Sequence, residues 1–293
     1  QLSFAASYNV QLFSHISLAQ FYGIEIDDFA HEVATLALWL AEHQMNKEFY
    51  KEFGRANPTL PLKEAGNITH GNACRLNWEE VCHKNEDDEI YVLGNPPYLG
   101  ARLQSASQKE DILFVFKGFK GANNLDYIAC WFKKGADFIK NCNSKFSFVT
   151  TNSISQGEQV AILWPYILRN DLSIFFVHSS FKWSNSAKRN AGVIVAIIGL
   201  SSGEEKTKFI ISKESKQYVK NINPYLVEGS NSFIQRRMKP LSNLPEMNFG
   251  NMANDGGSLL LSSDEKNTIL QSDKRAEKFI KKTNRSPRIY TGN

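Results

Sequence analysis

Short runs of β-branched and aromatic residues alternate along this chain with longer stretches of helical period, an order that predicts a parallel sheet covered by helices. The first clear strand is Gln20 to Ile26, reading Gln-Phe-Tyr-Gly-Ile-Glu-Ile. Asp27 or Asp28 is placed to cap the helix that follows, in which Phe29, Val33, Leu36, Ala37 and Leu40 recur at three- and four-residue steps and form one apolar face. Residues 46–66 carry Gly54, Pro58, Pro61 and Gly66 and read as a loop excursion, followed by a short strand or turn from Ile68 to Leu76.

Ile90 to Gly94 forms a second clear strand that runs into Asn95-Pro96-Pro97-Tyr98. Neither proline can donate a ladder hydrogen bond, so the strand ends there and delivers Asn95 and Tyr98 into a loop. Residues 100–124 read as a polar, mobile stretch. A helix is expected from about Asp126 to Lys140, burying Ile128, Trp131, Phe132 and Phe138, and another from Gln159 to Leu168. Phe146 to Thr151, Leu172 to Val177 and Ala191 to Leu200 complete the strands, the last so evenly apolar that both its faces should be covered. From Asn221 to Ser232 the pattern gives way to Asn, Gly, Ser and Pro, which predicts a domain boundary near 220.

Composition narrows the class. With 42% hydrophobic and 12% aromatic residues over 293 positions, the chain can build one sizeable α/β domain and begin a second. No run of eighteen apolar residues lacks a charge, and the first residues have no signal-peptide layout, so the cytoplasm is the expected location. Cys74, Cys82, Cys130 and Cys142 lack metal or disulfide spacing, and the six histidines are scattered, so no metal site is predicted. The net charge of +4 is uneven: residues 1–203 hold 18 basic and 20 acidic side chains, residues 204–293 hold 16 and 10. Lys274, Arg275, Lys278, Lys281, Lys282, Arg285 and Arg288 concentrate that excess near the end, a cluster suited either to a solvated face or to phosphates.

The candidate chemistry lies in Asn95 to Tyr98. An adenine amino nitrogen is a poor nucleophile because its lone pair is delocalised into the ring. Two acceptors, the Asn95 side-chain oxygen and the Pro96 carbonyl, can take its hydrogens and draw it toward a tetrahedral shape. Consecutive prolines, Pro96 and Pro97, stiffen the loop that holds both acceptors, so little reorganisation is needed at reaction time. Tyr98 offers a ring on which a base rotated out of a duplex can stack. An ordinary turn with a packed tyrosine is the alternative, but the position at a strand's carboxyl end, where open α/β sheets bind ligands, favours a site.

Beyond these four residues the chain resembles the gamma-type amino-methyltransferases, and more closely the methylase region of the single-chain, MmeI-like type II restriction-modification enzymes. The resemblance is carried by Gln20 to Ile26, Leu38-Trp39-Leu40, His43 to Asn46, Gly71 to Trp78, Leu125-Asp126-Tyr127 with Trp131, Thr151 to Gln159, Phe181-Lys182-Trp183 and Ala191-Gly192-Val193. It implies a class I methyltransferase, Rossmann-like α/β sheet with helices on both faces over residues 1–220, then the beginning of a target-recognition domain over 221–293. It implies methyl transfer from S-adenosyl-L-methionine to adenine N6 in double-stranded DNA. In this likeness Glu25 accepts the cofactor's ribose hydroxyls with Ile26 against its adenine. Asn72 and Ala73 lie at that adenine's amino group and ring, and Trp183 or Phe181 faces Tyr98 across the flipped base.

The chain also departs from that pattern. No Gly-rich turn precedes Glu25, so the family's first strand is expected to be missing and cofactor binding weakened, and no nuclease pattern of paired acids and lysine is present. Two other readings stay open: a fragment that binds DNA without methylating it, and an RNA or protein-glutamine methylase of the same fold.

Overall fold

The computed structural model describes residues 16–54, 66–85, 88–169, 171–183, 193–203, 205–213, 215–235, 237, 242–243 and 260–280. Two compact units divide the chain, residues 1–236 and 237–293.

The first unit is mixed α/β and contains two sheets. Strands β1 (Tyr22–Glu25) and β2 (Asn67–His70) pair in parallel, with Ile24 opposite Thr69 and Glu25 opposite His70. Between them runs helix α1 (Asp28–Phe53). Asp27 caps it by accepting from the Ala30 amide at 2.8 Å, and Gly54 ends it in the left-handed region at φ 66°, where a side chain would be strained. The helix therefore continues through residues 46–53, which the glycine and proline punctuation assigned to a loop; the helix former outweighs turn chemistry until Gly54. The rest of that excursion, 55–65, lies outside the described residues.

The apolar face expected on α1 is present as a stripe but not as core. Phe29, Val33, Leu36 and Leu40 are 79%, 44%, 51% and 55% exposed among the described residues. The opposite side approaches the sheet, where Leu38 lies close to Gly66 and His31 Nε2 is 3.0 Å from the Ile68 carbonyl.

The second sheet has the order β3-β4-β6-β5-β7-β8. Its strands are β3 (Ile90–Gly94), β4 (Ser144–Thr151), β5 (Leu172–Lys182), β6 (Ile194–Ser202), β7 (Lys208–Ile211) and β8 (Lys216–Val219). Strands β3 and β4 are parallel, as are β5 and β7, but β6 runs antiparallel to both its neighbours. The sheet is thus mixed rather than parallel. A strand covered on both faces reads as continuously apolar in either direction, so the Ile194–Leu200 run carried no sign of its polarity. Neither β1 nor β3 has a second neighbour among the described residues, and Tyr91 and Leu93 on one face of β3 are 59% and 78% exposed.

Helices α2 (Trp78–Val81), α3 (Ala106–Val115), α4 (Ala129–Phe138) and α5 (Gly157–Leu168) build the core. Phe132 of α4 meets Phe146 and Phe148 of β4 edge-on at 5.7 and 5.6 Å and Trp164 of α5 at 6.1 Å, all essentially without solvent contact. Helix α3 corrects the expectation for residues 100–124. Ser105 and Gln108 form a reciprocal capping box, and Ile112, Val115 and Phe116 bury themselves in the core. Its polar start, Ser-Ala-Ser-Gln-Lys-Glu-Asp from the Ser105 cap to Asp111, masks an apolar end, Ile-Leu-Phe-Val.

In the second unit, α6 (Ser263–Ser272) starts from a capping box of Ser262 and Glu265, followed by a 3-10 turn at Lys274–Phe279. Lys274, Arg275 and Lys278 are exposed there, with Arg275 paired to Asp273 at 3.0 Å. Lys281, Lys282, Arg285 and Arg288 lie outside the described residues. No described helix is long and apolar enough to cross a membrane.

Candidate active site

Strand β3 ends at Gly94, opposite Phe148 in the register, and the chain turns away at Asn95. Pro96 is buried, whereas Asn95 and Pro97 are exposed and Tyr98 is half-buried against the core. Neither the Asn95 carboxamide nor the Pro96 carbonyl has a hydrogen-bond partner among the described residues. The next residue is held on both backbone groups. The Leu99 amide donates to Asp126 Oδ1 at 2.9 Å, and the Leu99 carbonyl accepts from the Tyr127 amide at 3.0 Å and Gln104 Nε2 at 2.9 Å. The loop therefore carries two acceptors that have no partner among the described residues, on an anchored frame.

Glu25 ends β1 with one carboxylate oxygen accepting from the amides of Ile26 at 2.8 Å and Asp27 at 3.2 Å. That geometry turns the side chain back over the entrance to α1 and leaves its second oxygen without a partner among the described residues. Ile26 is 64% exposed beside it.

After β2, the turn Gly71–Leu76 carries Asn72 and Ala73. Asn72 Oδ1 accepts from the Cys74 amide at 2.9 Å while its Nδ2 donates to Asp111 at 2.9 Å, so the carboxamide has one settled orientation. Ala73 is half-buried against the core, and its carbonyl accepts from the Trp78 indole at 2.9 Å. Asp111, on α3, is buried and also accepts from Tyr127 Oη at 2.8 Å and Arg75 Nε at 2.5 Å. Burial by itself would raise this carboxyl, but the donors Asn72, Tyr127 and Arg75 outweigh it and hold the group below the usual aspartate range. The same burial and the Asp111 bond push the Tyr127 phenol upward.

Phe181 and Trp183 come from the far end of β5 and the residue after it. Their ring centroids are 6.3 Å apart, and Phe181 also meets His178 at 4.7 Å. Tyr98 makes no ring contact with either among the described residues. Asp111, Asp126 and Gln104, which hold these groups, are not recognisable from sequence as site residues. An Asp before a helix reads as a cap, and the Asp126 carboxylate does accept from the Ile128 amide at 3.2 Å just ahead of α4, while its other side-chain contacts come from residues 27 positions away in either direction.

The family described as MmeI, DNA-methyltransferase domain, matches residues 2–212, and the MmeI target recognition domain matches 228–293. The chain belongs to the MmeI DNA-methyltransferase family. DNA methyltransferase A of Bacillus subtilis (strain 168) is 50% identical over 252 residues, covering 85% of this chain and 29% of that protein. The type IIL restriction-modification enzyme MmeI, solved in complex with DNA, superposes with a TM-score of 0.79 at 38% identity, over 91% of this chain and 36% of its own. The chain thus spans about a third of the length of these relatives. The resemblance read from the MmeI-like segments is borne out. Membership in this MmeI family of DNA methyltransferases implies S-adenosylmethionine as the methyl donor.

Proposed function

We propose that this chain is the methylating part of a restriction-modification protein that transfers a methyl group from S-adenosyl-L-methionine to adenine N6 in double-stranded DNA. The observation that carries the reading is the pair of unengaged acceptors, Asn95 Oδ1 and the Pro96 carbonyl, on a loop whose following residue is held on both backbone groups. Such acceptors suit an amino group, since each takes one hydrogen and neither needs to move.

The residues present fit the cofactor. Glu25 has a free carboxylate oxygen at a strand's carboxyl end, where ribose hydroxyls are commonly held, and the Asn72 carboxamide is held with its oxygen and Ala73 on the same turn. Glu25, Ile26, Asn72 and Ala73 would hold S-adenosylmethionine, which supplies an electrophilic sulfonium methyl. Asn95 and Pro96 accept the two amino hydrogens of the target base, localising its lone pair. Tyr98 covers one face of that base, and Trp183, with Phe181, covers the other. The extra proton leaves to solvent once nitrogen carries the methyl.

The two sheets are consistent with halves of one class I, Rossmann-like sheet in which no strand joins β1 to β3 among the described residues. The boundary between the methylase and the target-recognition part is proposed near 220, with 221–293 the beginning of the latter. A DNA substrate makes the cytoplasm the expected location. One observation favours a second reading, a DNA-binding piece with impaired catalysis: among the described residues, β1 and β3 each have an unpaired edge and the apolar stripe of α1 is exposed.

The test is methyl incorporation from radiolabelled S-adenosylmethionine into duplex DNA, followed by nucleoside chromatography. N6-methyladenine is expected. Label only in RNA or protein would defeat the reading, and DNA binding without label would favour the second.

A further inference from the structure

The buried carboxylate of Asp126 stands outside every role given so far to the cofactor and the base. It is 4% exposed, and its donors come from three separate parts of the fold. Oδ1 accepts from the Leu99 amide at 2.9 Å, next to Tyr98, and from the Ile128 amide at 3.2 Å at the start of α4. Oδ2 accepts from Ser153 Oγ at 3.0 Å, in the 3-10 turn Asn152–Ser155 that follows β4. In that same turn, Asn152 Oδ1 accepts from Ser180 Oγ at 2.8 Å, and Ser180 precedes Phe181 on β5.

Two hydrogen-bonded links, Leu99–Asp126–Ser153 and Asn152–Ser180, meet at the adjacent residues 152 and 153 of this turn and join the loop holding Tyr98 to the strand end holding Phe181 and Trp183. These two elements belong to β3 and β5, which are not neighbours in the sheet: β4 and β6 lie between them. Sheet pairing alone leaves their outer ends independent, because each loop can tilt on its own strand. The polar links tie them at Leu99 and Ser180, the residues next to Tyr98 and Phe181. A buried carboxylate with three donors is a stiff node, since displacing any one of its partners breaks a hydrogen bond to it.

We infer that Asp126 and Asn152 are positioning residues that keep the Tyr98 ring and the Phe181–Trp183 pair at a separation set for one planar base. This rests on the base-stacking reading above and deepens it. Neither residue touches the base or the methyl donor; both act through the placement of the rings.

The experiment compares Asp126→Ala, Asn152→Ala, Asn152→Asp and Ser180→Ala with the unmodified chain in two assays. One is quenching of a single 2-aminopurine in a single-stranded oligonucleotide, which reports stacking on the rings and needs neither cofactor nor recognition sequence. The other is steady-state methyl transfer to duplex DNA. Removing the acceptor at 152 or the donor at 180 is expected to reduce the quench at saturation and lower turnover about three- to ten-fold. The KM for S-adenosylmethionine and the melting temperature should stay put. Asn152→Asp keeps an acceptor and should restore both readouts; Asp126→Ala should show the largest loss. Because the Ser180 hydroxyl is on the surface, Ser180→Ala keeps the test decisive if Asp126→Ala fails to fold. Full quenching and turnover in Asn152→Ala and Ser180→Ala would overturn the inference, as would an unmodified chain that does not quench. Quenching that depends on these residues without any methyl transfer would sink the functional reading while leaving the positioning role standing.

Discussion

Asp111 accepts from the Asn72 carboxamide at 2.9 Å and thereby decides which end of that amide faces which way. With Nδ2 committed to Asp111, the Asn72 oxygen is the end turned to the Cys74 amide and to whatever occupies the turn. A ligand amino group needs that oxygen. Asp111→Ala frees the amide to rotate and removes the buried acceptor of Tyr127 Oη. It should cost about 1 to 3 kcal/mol of stability and weaken S-adenosylmethionine binding several-fold, measured by calorimetric titration. Unchanged affinity in a variant that is clearly destabilised would separate Asn72 from the cofactor.

Acid should expose the same network. The Asp111 carboxyl is held low against the pull of burial by Asn72, Tyr127 and Arg75. Asp137 is likewise held low, against burial, by Lys133 at 2.8 Å, by Tyr166 and by Lys140. A carboxyl depressed in the folded state binds fewer protons there than in the unfolded chain. Its contribution is complete above the unfolded aspartate pKa of about 4 and is lost as pH falls through the folded value. Urea unfolding should give a flat stability plateau down to about pH 5 and a steep decline below about pH 4. Asp111→Asn should flatten that limb. A decline setting in near neutral pH would point to other groups.

At the reacting loop the expected effects divide by step. On the proposed role, Asn95→Ala removes an acceptor for the amino nitrogen as charge develops on it, so turnover should fall about 100- to 1,000-fold with cofactor affinity intact. Tyr98→Ala removes a stacking surface worth about 1 to 3 kcal/mol and should show chiefly as weaker retention of an extruded base. Equal losses of cofactor binding in both variants would mean that the loop serves the cofactor and not the base.

Much of this was legible in the residues themselves. The strand ending at Asn-Pro-Pro-Tyr, the Asp27 cap and the α4 and β4 pattern of Phe132, Phe146 and Phe148 all depend on local period and local chemistry, which a sequence displays. The direction of β6, the helix hidden behind the polar start of α3 and the roles of Asp111 and Asp126 depend on partners 16 to 39 positions away or on neighbours in the sheet. Nothing within a short window marks an Asp as a node between distant loops rather than a helix cap. The stripe on α1 illustrates the converse. Its period is plain in Phe29, Val33, Leu36 and Leu40, yet period states only that a face is apolar and not what covers it.

That stripe yields the last expectation. If the face is open to water in the isolated chain, then Leu36→Lys exchanges an exposed apolar side chain for an exposed charged one on a helix that tolerates both. The change in stability should stay within about 0.5 kcal/mol. Ile154→Ala, at a side chain with no solvent contact, should cost about 2 to 5 kcal/mol through lost burial and an unfilled cavity. Denaturant midpoints of the two variants give the comparison. A Leu36→Lys penalty approaching that of Ile154→Ala would mean that the stripe is packed in solution.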